Sequence, residues 1–252
     1  MKSFVTRSVF CFALANLLLL ASAAQQPLPS GPPASQQSQS ADKSQKAQDP
    51  KPPDNNQGTS NDRLFYALPN FLTLENTGEV PPLTVGQKFK VVTRGSFDYI
   101  QIPWYCSLAG ISQAEDSEPG YGQGAAGYGK RLGAYFADGT IENYMTGAIL
   151  PSLLRQDPRF FQSGKGGFWR RTGYAVSRIL VTRTDSGGEQ FNYSEVVGSA
   201  ASSAISTYSY HPRGDRNLPN TASVWGTQVG YDAVTIVVKE FWPDIRRKLK
   251  KK

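Results

Sequence analysis

Ala125-Ala-Gly-Tyr-Gly-Lys-Arg-Leu-Gly-Ala-Tyr-Phe-Ala-Asp138 is the stretch on which the fold turns. Small residues recur every four positions at Ala125, Gly129, Gly133 and Ala137. The adjoining row is Ala126, Lys130, Ala134, Asp138 and Glu142. A period of four places each row on one helical stripe, and a small stripe admits a second helix at close range. The pattern predicts a helix from Ala125 to about Leu154, with Pro151 near its last turn and Pro158 as its stop. The device returns at Gly198, Ser202 and Ser206, and at Ala222, Gly226 and Gly230.

Working outward, Thr84 and Gln87 have the spacing of a capping box before a helix from Val85 to about Gly95. Asp98–Ser112 is more apolar, with Pro103 as a potential kink. Phe168–Thr182 is amphipathic, Asp185-Ser-Gly-Gly forms a turn, and Thr221–Phe241 is the last long helix, ended or kinked by Pro243. The expected fold is therefore mainly α, a compact bundle of about five or six helices packed through small-residue stripes. The alternative is a small outer-membrane β-barrel, because Tyr174–Thr184 and Val224–Val238 are rich in Val, Ile, Thr and Tyr.

The ends carry different signals. Residues 1–24 read as a secretory signal: Lys2 and Arg7 precede the short apolar run Val9–Leu20, and Ala21-Ser22-Ala23 suits cleavage. Residues 25–63 form a Gln/Ser/Pro-rich segment expected to be a disordered linker. Residues 64–245 form the single folded domain, and 246–252 a polybasic tail.

The net charge of +7 conceals a neutral body. Leu64–Ile245 carries 15 Lys and Arg against 16 Asp and Glu, and the excess of the mature chain lies in the tail. That argues against a basic groove for nucleic acid. The tail residues Arg246, Arg247, Lys248, Lys250, Lys251 and Lys252 suit an anionic membrane surface or another acidic envelope component. Mean hydropathy is −0.41 and no body segment resembles an uncharged spanning helix. Exposed aromatics are the other candidate contact with a membrane.

Chemistry is sparse. Cys106 lies among aromatic and aliphatic residues and reads as inert core. His211, the single histidine, lies in a Pro/Gly-rich loop and reads as a surface residue; a triad with Asp215 lacks a nucleophile elbow. Zinc sites need more His and Cys ligands than Cys106 and His211 supply, so no metal and no cofactor are expected. Gly122, Gly124 and Gly127 match Gly-x-Gly-x-x-Gly in letters only, without a strand before them. Asp138 and Glu142, four apart, are either paired carboxylates for acid–base work or partners of Lys130, Arg131 or Arg178. Arg155, Asp157 and Arg159 around Pro158 are either an anion-recognition group or a salt-bridged turn.

Several motifs together resemble a known family: Ala67-Leu-Pro-Asn-Phe-Leu-Thr73, Leu150-Pro-Ser-Leu-Leu-Arg-Gln-Asp-Pro-Arg-Phe-Phe161, Phe191-Asn-Tyr-Ser-Glu195 and Lys239-Glu-Phe-Trp-Pro-Asp-Ile245. They are similar to a family of uncharacterised secreted bacterial proteins, over roughly Tyr66–Leu249. The resemblance implies an envelope location, periplasmic or outer-membrane-associated. It brings no activity, cofactor or catalytic residue. The leading expectation is a non-enzymatic envelope domain that contacts a membrane or a partner. The rival is an enzyme on a lipid or envelope polymer, with Asp138, Glu142, Arg155, Asp157 and Arg159 converging in one site.

Overall fold

The computed structural model describes residues 59–75 and 80–250. The expected signal, most of the linker, Lys251 and Lys252 lie outside the described residues. The chain is mainly α-helical, as the sequence patterns require, and forms no closed barrel. The barrel expectation fails because, among the described residues, the strands are two to four residues long and pair in three small separate sheets. Val224–Val238 is helical throughout, and Tyr174–Thr184 is strand only from Val181.

Among the described residues six longer helices build the body: α1 (Val85–Ser96), α2 (Gln101–Ala114), α3 (Gly124–Tyr144), α4 (Phe168–Leu180), α5 (Tyr193–Ser209) and α6 (Leu218–Leu249). Thr84 caps α1 through the reciprocal bonds that its spacing with Gln87 predicts. Pro103 falls in the first turn of α2, where no helical N–H is needed, so it demands no kink. α3 widens into a π turn at Met145–Ile149 and closes with Leu150–Leu153. Pro151 lacks the N–H that would bond Gly147 in α register, and the wider turn accommodates that loss.

Pro243 does not end its helix: α6 runs on to Leu249. A proline here strands the carbonyl of Lys239, four residues back. Gln162 donates its side-chain amide to that carbonyl and replaces the missing donor. The neighbouring Trp242 is fully buried, and Phe65 and Tyr66 pack on it.

Two strand pairs tie the lead-in to the bundle: β1 (Arg63–Leu64) with β2 (Leu68–Pro69), and β3 (Thr73–Leu74) with β5 (Phe160–Phe161). Antiparallel β4 (Gln156–Asp157), β6 (Val181–Thr184) and β7 (Glu189–Phe191) form the third sheet. Asp62 accepts from Trp242 Nε1 at 2.8 Å and Arg246 at 3.0 Å, and Arg63 pairs with Asp98 at 2.6 Å.

The packing stripes are only partly as expected. Gly198, Ser202 and Ser206 are buried. Ala125, Gly129 and Gly133 of α3 instead face outward, as do Ala222 and Gly226 of α6. The close approach on α3 occurs at Gly139, where a side chain would collide with the Tyr105 ring of α2. Four-residue spacing locates a face but not which face is inward. The inward faces are strongly polar. α5 buries Ser194, Ser199, Ser202, Ser203, Ser206 and Thr207, while Tyr193, Val197, Ile205 and Tyr208 are exposed. The apolar core is correspondingly small and centres on Phe71, Val91, Val92 and Ala148.

Candidate functional site

Three groups of side chains stand out inside and at one end of the bundle. The first surrounds Asp138 on α3. Its carboxylate accepts from Ser206 of α5, from Tyr210 at 2.5 Å, and lies 3.4 Å from His211 Nε2. His211 Nδ1 lies 3.2 Å from Glu118. The surface reading of His211 is thus overturned: it is 5% exposed and held between two carboxylates. Burial pushes its pKa down, but the bonds and charges of Asp138 and Glu118 outweigh that and hold it at about 9. Lys130, Arg131 and Arg178 are not the partners of Asp138. Arg131 is buried against Ser112, Gly122 and Glu118, with Asp116 at 3.3 Å.

Glu142, one turn further along α3, has no such partners. Its Oε1 is buried without a hydrogen bond. Burial, then the charges of Asp232 and Asp138, push its pKa up to about 9. Glu195 of α5 is raised well above the carboxylate range by burial, then by its neighbours Asp232 and Glu142. Asp232 of α6 is raised by burial, against the hydrogen bond from Glu195. Both carboxyl groups are thus pushed toward their neutral forms by burial.

The second group lines a cavity of about 140 Å³ beside this pair. Thr146 of the π turn, Asp157 and Arg159 of the β4–β5 segment, Arg178 of α4, Arg183 of β6, and Lys239 of α6 join Glu195 and Asp232 in its wall. Asp157 and Arg159 are both buried and paired, with Arg159 Nη2 at 2.6 Å from Asp157 and 2.9 Å from the Pro81 carbonyl. This is the salt-bridged turn of the sequence reading. Lys239 is pushed below its ordinary pKa by burial, against the charges of Asp232 and Glu195. Among the described residues no group of three or more His, Cys, Asp or Glu side chains is placed to hold a metal ion.

The structure distributes the five residues expected to converge. Asp157 and Arg159 reach the cavity, Glu142 lies with the acid pair, Asp138 belongs to the His211 group, and Arg155 is at the surface with a backbone φ of 52°. The sequence reading missed Glu195, Asp232, Lys239 and Arg183. A signal was present: Asp232 and Lys239 are seven apart, hence on one face, within the apolar run Val224–Val238 and its edge.

The third group lies at one end of the molecule. Gly164–Arg170 is exposed at every position and contains Lys165, Phe168, Trp169 and Arg170. The loop that presents it is fixed to α6. Ser163 and Gly164 donate their backbone N–H groups to the fully buried Glu240, both at 3.0 Å, and Arg171 Nε donates at 2.8 Å. Phe168 stacks on Phe241 at 5.2 Å, while Trp169 is 81% exposed. Arg171 and Arg247 both pair with Asp244. The exposed end of α6, Arg247–Lys250, therefore lies along the same region, roughly 14 Å of helix beyond Phe241. Arg246, the first residue of the polybasic segment, is bound to Asp62 and Glu75, and the helix continues through Lys248. No helix of the described residues is long and apolar enough to cross a membrane. Comparison with protein-family models, curated proteins and solved structures finds no match for this chain.

Proposed function

We propose that the protein is an exported domain of the bacterial cell envelope that docks peripherally on an anionic membrane surface through its aromatic and basic end. The carrying observation is the exposed run Gly164–Arg170 held rigidly beside the exposed Arg247–Lys250. Trp169 supplies an amphipathic ring of the kind that settles at headgroup depth. Lys165, Arg170, Arg247, Lys248 and Lys250 supply about 1 kcal/mol each near an anionic surface, and neither run contains an acid. Because Glu240 satisfies both backbone and guanidinium donors, the loop is ordered before it meets lipid, which lowers the entropy cost of docking. Export is supported by the charged, apolar and small-residue pattern of residues 1–24.

Pelleting with vesicles of phosphatidylcholine, with and without phosphatidylglycerol, tests this. The expected result is binding only to the anionic vesicles, release by salt, and a blue shift of tryptophan emission that Trp169→Ala removes. Equal binding to neutral vesicles, or binding unaffected by neutralising Arg247, Lys248 and Lys250 together, would overturn it.

A further inference from the structure

We infer that the cavity between β6, α5 and α6 is a binding site for a small oxyanion carrying a hydroxyl, such as hydrogen phosphate or a 2-hydroxy carboxylate. This goes beyond membrane docking and does not rest on it. The argument is an imbalance of donors. Asp157 is committed to Arg159. Glu189 meets Arg178 from the solvent side through Nη1 at 2.8 Å. Glu195 and Asp232 lie together and act on each other electrostatically. Arg183 lies over the Phe161 ring at 4.1 Å, with no hydrogen bond or ion pair to its guanidinium among the described residues. Across the sheet it faces Asp157, whose oxygens are already engaged by Arg159, and the exposed Glu189, which acts on it electrostatically but takes its hydrogen bond from Arg178. The Lys239 ammonium likewise has neither hydrogen bond nor ion pair there, although Asp232 and Glu195 act on it electrostatically.

Among the described residues two cations in one wall thus lack a hydrogen-bond acceptor, and Arg178 adds a buried Nε–H without one. Donors so placed call for an acceptor on a ligand. A guanidinium and an ammonium together suit an oxyanion, the first by its fork and the second as a point charge. One acceptor points the other way: Glu195 Oε1 is buried and unbonded. It calls for a donor on the ligand, which the hydroxyl supplies. A cavity of about 140 Å³ has room for either class of anion.

Isothermal titration calorimetry of the full chain with inorganic phosphate and with glycolate, and with acetate as the hydroxyl-free control, tests the site. Saturable binding of phosphate or glycolate is expected, with acetate roughly tenfold weaker because Glu195 Oε1 stays unpaired. Arg183→Gln and Lys239→Met should each weaken binding at least ~tenfold while helicity is retained. Should either variant fail to fold, the unfolding midpoint of the unaltered chain still decides, since a native-state ligand must raise it. No heat and no rise in midpoint at tens of millimolar of either anion would overturn the inference. So would undiminished binding by a folded Arg183→Gln. Trp169→Ala should bind the anion normally, which separates this outcome from the membrane reading.

Discussion

Asp138 and Glu142 are one turn apart on the same helix and have opposite fates. Asp138 receives a serine, a tyrosine and a histidine; Glu142 receives no donor on its buried Oε1 and faces two more carboxyl groups. The difference lies in what the facing helices and loops bring. The C-terminal end of α5 and the loop after it supply Ser206, Tyr210 and His211, whereas the N-terminal end of α5 supplies Glu195 and α6 supplies Asp232. Spacing along one helix therefore groups two carboxylates without assigning them a role. A carboxylate well supplied with donors locks the bundle, and one starved of donors becomes a site of protonation.

The largest effect should come from breaking the satisfied end. Asp138→Asn leaves His211 buried with half of its counter-charge, and should lower stability by about 3 kcal/mol or more in denaturant unfolding. Next is pH. The His211 pKa is raised in the fold, so its stabilisation is complete below about 6.5 and is lost as pH rises through about 9. Roughly 3 kcal/mol is at stake, and His211→Gln should remove that slope from a series of unfolding curves. Glu142 acts in the same direction, because its raised pKa costs stability progressively above about 4.5. Lys239, lowered by burial, works in the opposite sense.

Glu142→Gln sharpens the contrast from the other side. It should stabilise at pH 8 by about 2 kcal/mol, or ~4–8 °C in unfolding midpoint, and give no gain near pH 4. A loss of stability at pH 8 would mean that the glutamate is paired after all. The smallest effect is Ser206→Ala, about 1 kcal/mol, since Tyr210 and His211 still bond Asp138.

The candidate site was legible in part for the same reason. Asp157 and Arg159 flank Pro158, so their pairing is local and the motif alone implies a salt-bridged turn. Asp62, Trp242 and Arg246 come from opposite ends of the described chain, and no local pattern announces their contact. His211 was misread because a Pro/Gly-rich loop implies exposure, whereas Glu118, Tyr121 and Asp138 close over it.

The sequence by itself determined the helices. Period-four rows, the Thr84–Gln87 cap and the turn at Asp185 follow from local sterics and hydrogen bonding, which act within a few residues. Only the tertiary structure decided which faces are buried, that α6 passes through Pro243, and which charges meet. Gln162 rescues the carbonyl that Pro243 strands, and Arg183, Glu195, Asp232 and Lys239 gather from three elements around one cavity. Those outcomes depend on desolvation and on partners distant along the chain, and burial free energy is a property of the assembled bundle rather than of any segment.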